Sequence, residues 1–546
     1  MKHLHHILIL AFLMLFNYHC SSVFAYIEVK NEDGVTIYYD YISDGKELEV
    51  IPAPGYDRGG TNYTTKTLRI PDEVTYMNRT RKVTSIADYA FYHAKIETLI
   101  IGDNVRTIGD CFSGRIFNPD YSDGGFLKKI VFGKSVESIK CSFSSDSSEG
   151  NNSLEKVIIM NINKWLSFDH KSSPFHYAKK LYIDEDTELT RLDIPEGVKR
   201  IGRGAFSGCT SLSEVIIPNS VDSVGDFAFS DSGMQYLTIG SGIKVIGEGA
   251  FARSKLLKVC IKNIASWCNV SFNEKYDSTP FLGFIPSDNF LSSYSTNIHL
   301  CGEGYSVIKN LEIPKTVTSI KKYHFFGFAG LKSVAIPDNV TSIEVYSFSC
   351  CPDLETVSFG DKITTINGFN DCPKLSHIQW GKKVETVEYY AFHGHNISSL
   401  VLPEGIKSIG AAAFSSNQLT SVVIPNSVVE IQSGAFYSDN LLSVTSFIRN
   451  PESTSWEYNL GPFSDNTLYN ATLYVPKGTI GKYKATKGWN KFVWIEEFDA
   501  TDIDSIQDIH HESSLFSING TRIPKMKRGI NIIKMSDGTT KKVLVK

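Results

Sequence analysis

One phrase recurs down this chain and leaves few folds open to it: an aliphatic residue, two others, an aliphatic, three others, then Ala-Phe. It reads Val83-x-x-Ile86-x-x-x-Ala90-Phe91, Val198-x-x-Ile201-x-x-x-Ala205-Phe206 and Ile406-x-x-Ile409-x-x-x-Ala413-Phe414. Its twelve copies begin at Val83, Val105, Val136, Val198, Val221, Ile243, Val317, Val340, Ile363, Val384, Ile406 and Val428, and uninterrupted neighbours lie 21 to 23 residues apart. Independent globular domains keep no such register. Stacked coils must keep it.

Each copy runs on into Leu-x-x-Val-x-Ile-Pro, as in Leu331, Val334, Ile336 and Pro337, or Leu419, Val422, Ile424 and Pro425. Alternating β-branched residues predict a short strand, and the proline ends it because it cannot donate to a ladder. One coil cannot bury its own Leu, Ile and Phe, but parallel coils spaced about 4.8 Å apart can. The repeated aliphatic, Ala and Phe positions are therefore core. The expected fold is a mainly β repeat solenoid of about twelve coils, a right-handed superhelix with β caps at both ends.

The phrases Ile217-Pro218-Asn219-Ser220-Val221, Ile201-Gly202-x-Gly204-Ala205-Phe206-x-x-Cys209 and Thr210-Ser211-Leu212 resemble the BspA-type (treponemal-type) leucine-rich repeat. The resemblance covers about residues 83–447. Cys111, His324 and Ser347 replace the repeat Ala, and the copy at Ile363 is short. What the resemblance implies is a secreted or surface-displayed protein that binds other macromolecules, often as an adhesin.

The chain starts like a targeting segment. Lys2 precedes an apolar run from Ile7 to Phe16, and Val23-Phe24-Ala25 has the form of a signal-peptidase site. The run is too short for a permanent membrane span, and no later stretch is apolar enough to be one. Cleavage after about Ala25 predicts an exported protein, with lipid anchoring through Cys20 as the competing route; His19 stands where that processing wants a small residue. A net charge of −4 gives no field that would recruit nucleic acid. Of the cysteines, Cys209, Cys351 and Cys372 each follow a repeat Phe by three residues, a small buried slot in this repeat family that predicts free packed thiols.

The repeat is broken in an orderly way. Trp165, Phe168, Ser173-Pro174-Phe175 and Leu181-Tyr182-Ile183 follow the copy at Val136. The same order returns as Trp267, Phe272, Thr279-Pro280-Phe281 and Ile298-His299-Leu300 after the copy at Ile243. A third version, Trp456, Gly461-Pro462-Phe463 and Leu473-Tyr474-Val475-Pro476, follows the last copy. These read as a variant coil with a long loop, used in insertions near residues 159–197 and 261–313 and again as a closing cap over 448–498. Residues 26–82 alternate as β strands with Asp33-Gly34 and Asp44-Gly45 turns, an N-terminal β cap. An acidic linker is expected over 499–512. A basic β module over 513–546, with hairpin signals at Asn519-Gly520 and Ser536-Asp537-Gly538, is similar to a C-terminal sorting domain of type IX secretion.

Motifs for catalysis, cofactors or metals are lacking: no G-x-S-x-G, H-E-x-x-H, phosphate-binding loop or EF-hand loop occurs. His393-Gly394-His395 reads as surface histidines in a turn. Binding is expected on the strand face, where one outward residue per coil forms a column. That column is apolar at its two ends, through Ile100, Val131, Ile158 and Ile216 and again through Val401 and Val423. Tyr121 in the loop Phe117–Phe126 and Trp267 in the second insertion complete the candidate surface. The expected partner is a protein on a cell surface or matrix, with a glycan as the alternative, and the expected state is a monomer.

Overall fold

A four-residue strand cannot stand alone, so the coils pair. In the computed structural model, Glu214–Ile217 runs parallel to Arg191–Asp193, with Val215 opposite Leu192. Every copy after the first also lays down a two-residue strand at its second aliphatic, as in Arg200–Ile201, Ser223–Val224 and Val245–Ile246, paired parallel in order. Each coil thus gives one strand to each of two parallel ladders, and its Leu, Val and Ile point between them.

The structure describes residues 26–53, 63–91, 94–111, 127–141, 143, 154–178, 180–273, 278–279, 283–284, 298–438, 440–456, 461–499, 514–517, 529–534 and 540–545. They belong to two compact units. One comprises residues up to Gln235 with Val245–Lys255 and Phe272–Phe284, and the other comprises Tyr236–Lys244, Leu256–Ser271 and the chain from Ile285. The architecture is a mainly β parallel solenoid of about 15 turns. The expected count was twelve. The difference arises because segments outside the phrase also stack: Thr64–Arg69 pairs parallel with Lys95–Ile100, Leu181–Tyr182 with Lys156–Ile159, and Thr472–Pro476 with both Ser443–Ser446 and Trp494–Phe498.

The repeat Phe residues form a stacked spine. In the first unit Phe175, Phe206, Phe229 and Phe251 follow one another with ring centroids 6.1, 5.5 and 5.7 Å apart. In the second, Phe325, Phe348, Phe369, Phe392, Phe414, Phe436 and Phe463 do the same at 5.0 to 5.8 Å. Near-parallel rings at this spacing are offset by the coil twist, the arrangement that aromatic quadrupoles favour. Behind the spine, Cys351 and Cys372 donate their thiols to the Phe325 and Phe348 carbonyls at 3.2 and 3.3 Å. All nine cysteines from Cys111 onward are free and buried.

The turn that carries Ala-Phe is bought with left-handed backbone. The residue before the Ala position has φ between +53° and +64° at Tyr89, Gly204, Phe227, Tyr323, Tyr346 and Tyr390. For a bulky L-residue this conformation costs about 1–2 kcal/mol. These side chains form a ridge along the turn edge, where Tyr323 stacks on Tyr346 at 5.6 Å with rings 4° from parallel.

Before the coils, Ile27–Lys30, Thr36–Ile42 and Glu47–Val50 make an antiparallel meander whose last strand joins Arg79–Ile86 in parallel. At the far end, Ser514–Ser517, Gly529–Lys534 and Thr540–Val545 form a three-stranded antiparallel sheet. The expected targeting segment and most of the expected acidic linker lie outside the described residues.

Candidate binding surface

The two insertions are built on one plan. Asn161 and Asn263 cap short helices, Ile162–Ser167 and Ile264–Trp267, each side chain accepting a backbone N–H three residues on. Four residues after the cap stands the tryptophan. Trp165 donates its indole N–H to the Ala205 carbonyl, and Trp267 donates to the His324 carbonyl, both at 2.8 Å. Each acceptor is the residue just before the next spine phenylalanine. Trp267 is therefore only 2% exposed, which corrects its expected place on a binding surface. An indole on a loop read as a displayed aromatic, but its N–H closes the coil that follows.

After the insertion strand, the chain folds back in a tight hairpin over the strand face. In the first insertion Leu189 N–H returns to the Leu181 carbonyl at 2.8 Å, and in the second Ile308 N–H returns to Leu300 at 2.9 Å. The first hairpin is held by Glu185 on Lys129 at 2.5 Å and by the Lys156 ammonium 4.4 Å over the Tyr182 ring. The second lays Tyr305 over the strands: its hydroxyl accepts from Thr238 at 3.4 Å and its carbonyl from Lys258 at 3.3 Å.

The hairpins change the reading of the outward column. Val131 and Ile158 are buried, and Cys260 lies 6% exposed in the part of the face that Tyr305 overlies. Val423 is buried too, in register between Val401 and Thr445. Ile100, Ile216 and Val401 keep partial exposure. The two continuous apolar patches expected at the ends of the column are absent from this face. Tyr121 lies outside the described residues.

What the strand face does present is small and polar. Glu312, Ala335, Ser358 and Gln379 follow in register on four parallel strands, flanked by Asn310, Ser333, Thr356 and His377. Ser399 and Ser421 hydroxyls meet at 3.0 Å on the neighbouring ladder.

The H-x-H pair splits. His393 shares a 2.6 Å hydrogen bond with Ser415 on the ridge, while His395 is buried and pairs with the Cys372 backbone carbonyl at 2.9 Å. This corrects the expectation of two surface histidines: Gly394, at φ +77°, turns the chain between them. Burial pushes the His395 imidazole down to about 3, and those of His170 and His324 to about 4. Among the described residues no group of three or more His, Cys, Asp or Glu is placed to hold a metal ion, and no helix is long and apolar enough to cross a membrane.

Two open clefts flank the first insertion. One, of about 430 Å³, lies between Asn163 and Ser167 of the helix and the turn Glu196–Arg200. The other, of about 290 Å³, lies on the turn ridge at Gly204. Its residues come from the insertion (Lys171, His176) and from three successive coils (Arg203, Phe227, Arg253). Sequence reading passed over this cleft because its members, from His170 to Arg253, are up to 83 residues apart. One signal existed: the ridge position, aromatic in many copies, becomes glycine directly after the insertion.

The model of the BspA type leucine rich repeat region matches residues 72–164, 181–280, 303–368 and 366–473, more than half of the chain. The chain belongs to this family. The matched segments include most of the parallel coils, the Trp267 helix and the closing variant coil as far as residue 473. Three solved structures are similar to this BspA-type chain. A leucine rich cell surface protein from Faecalibacterium prausnitzii shares 21% identity, covers 77% of this chain and 94% of its own, and has a TM-score of 0.34. A leucine-rich repeat protein from Bacteroides ovatus shares 20%, covers 77% and 97%, and has a TM-score of 0.42. The pneumococcal vaccine antigen PcpA shares 16%, covers 87% and 98%, and has a TM-score of 0.38. No curated protein matches the chain.

Proposed function

We propose that this BspA-type protein is exported and acts as an interaction surface, binding a protein on a cell surface or in a matrix and so mediating adhesion. The observation that carries this reading is the polar strand ladder Glu312, Ala335, Ser358 and Gln379. Its outward groups are uncharged but for Glu312, and each stands one coil from the next. Such a face offers many hydrogen-bonding groups at fixed spacing without an electrostatic preference of its own, which suits a docked macromolecule more than a reactive small molecule. Export rests on the leader-like residues 1–25, and delivery by type IX secretion on the basic C-terminal sheet. The second reading is a glycan partner, favoured by the same serine, threonine and asparagine hydrogen-bonding groups.

The test is to present purified mature protein to matrix proteins, glycans and cell surfaces, alongside the variant Ala335→Lys with Gln379→Lys. Placing two cations on the ladder is expected to weaken partner binding by about tenfold or more, a loss of about 1.4 kcal/mol, with the melting temperature unchanged. Binding that survives both lysines undiminished rules out the strand ladder. Binding to glycans alone puts the second reading first.

A further inference from the structure

The cleft at Gly204 is built where the first insertion meets the ridge, on left-handed turn positions that recur in other coils. Gly204, Phe227, Asp231 and Arg253 all line it, and all four are left-handed, with φ of +64°, +53°, +56° and +53°. Three of them carry side chains, so the chain accepts strain there that a glycine would relieve. At Gly204 the opposite choice is made, and the ridge side chain is missing. A Cβ there meets nothing closer than the His170 carbonyl at 3.6 Å, so packing alone does not require the glycine.

The charges are arranged to receive an anion. Arg253 is locked on Asp231 by two bonds of 2.6 and 2.7 Å, which neutralises that pair. Lys171 is held only loosely, 3.5 Å from Asp110. The Arg203 guanidinium lies 5.9 Å from the Phe227 ring centroid and has no carboxylate partner among the described residues. On the rim Arg203 thus remains without a carboxylate, and Lys171 has only its long pair with Asp110. The lining between them is hydroxyl and imidazole: Ser207 Oγ pairs with His176 Nε2 at 3.0 Å and with Ser230 Oγ at 2.8 Å. A volume of about 290 Å³ sits at the small end of ligand sites, about 300 Å³. It is far larger than one carboxylate needs.

We propose that this cleft binds a carboxylate-bearing pyranose, a uronic or sialic acid residue of an acidic glycan. Arg203 and Lys171 receive the carboxylate, and His176 with the serine hydroxyls receives the ring hydroxyls. An Asp or Glu side chain of a protein would satisfy the cations but leave the polar floor without partners. The site shares no residue with the strand ladder, so either can fail without the other.

A ridge comparison supplies the test. Tyr89, Tyr346 and Tyr390 occupy the Gly204 position in other coils at φ of +60°, +61° and +55°, so Gly204→Tyr fills the cleft with a residue this backbone already accepts. The full chain is titrated by calorimetry with trigalacturonate, 3′-sialyllactose, neutral lactose, polyglutamate and inorganic sulfate. One of the two acidic sugars is expected to bind at least about tenfold more tightly than lactose, a gap of about 1.4 kcal/mol. Which of the two binds tells a polysaccharide source from a glycoprotein one. Arg203→Gln is expected to weaken that binding about tenfold or more and Gly204→Tyr to abolish it, with the melting temperature nearly unchanged. If Gly204→Tyr fails to fold, Arg203→Gln with Lys171→Gln carries the test. No binding of either acidic sugar, equal binding of lactose, polyglutamate or sulfate, or binding that survives the variants overturns the proposal.

Discussion

The two tryptophan insertions share a frame and part company at a single ridge position. Both use an asparagine cap, an indole bonded to the carbonyl before the next spine Phe, and a hairpin over the strand face. After the first insertion the ridge residue is Gly204, and a cleft opens. After the second it is Tyr323, stacked on Tyr346 and fully buried, with the Lys322 ammonium 4.6 Å over its ring. Frame and site are thus separable: the asparagine cap and the tryptophan hold the coils in both insertions, while the ridge residue differs between them. The shared frame can be broken symmetrically, and the largest expected effect lies there. Trp165→Ala and Trp267→Ala should each cost about 3–5 kcal/mol, read by calorimetric melting. Trp→Phe at either site should cost about 1–3 kcal/mol, because the Ala205 or His324 carbonyl then loses its donor. If one tryptophan proves worth much less than the other, the common frame is wrong.

The buried histidines sharpen the comparison next. His170 and His324 pack beside the two tryptophans, at 4.5 and 5.8 Å between ring centroids, and His395 sits deeper in the second unit. Burial depresses all three to about 4, 4 and 3. The folded value lies below the unfolded one, so the unfolded chain takes up protons first as pH falls. The stability carried by the neutral rings is complete above the unfolded value of about 6.5 and is lost on acidification toward the folded values. By pH 5 each ring should have cost about 2 kcal/mol. His324→Ala restores the residue that other coils use, and His395→Asn copies Asn417. Each should flatten the fall in stability between pH 7 and pH 5 by about one proton's worth. An unchanged slope in denaturant titrations at the two pH values would show that these rings titrate normally.

These sites also mark where sequence reading stops. The parallel strands and the buried repeat Phe were legible because a 21- to 23-residue step and a two-residue alternation each encode geometry directly. Trp267 was misplaced because the partner that buries it, the His324 carbonyl, lies 57 residues away. His395 was misplaced because one left-handed glycine turns an H-x-H pair to opposite sides. Val131 and Ile158 read as outward, and they are, but a hairpin formed by later residues covers them. The Gly204 cleft needed residues from an insertion and three coils at once. Periodicity reports what every coil shares, and each of these features depends on what one coil does alone.

The two hairpins differ in how they are fastened, and that contrast gives the smallest expected effects. The second is pinned by a half-buried aromatic, Tyr305, against Tyr236 at 5.6 Å between ring centroids. Tyr305→Ala should ease hairpin opening by about 1.4 kcal/mol and so label the Cys260 thiol about tenfold faster with an alkylating reagent. The first is tied by Glu185, whose side chain is 61% exposed, to Lys129 and Lys156. Water and salt compete for such a pair, so Glu185→Gln should cost between zero and about 1 kcal/mol. That loss should vanish near 1 M salt, where charges are screened beyond about 3 Å. The Tyr305 effect should persist in the same salt, since it rests on buried ring area. If salt abolishes both effects, the second hairpin too is held by charge, through Lys258. If it abolishes neither, the packing of Tyr182 rather than the carboxylate secures the first.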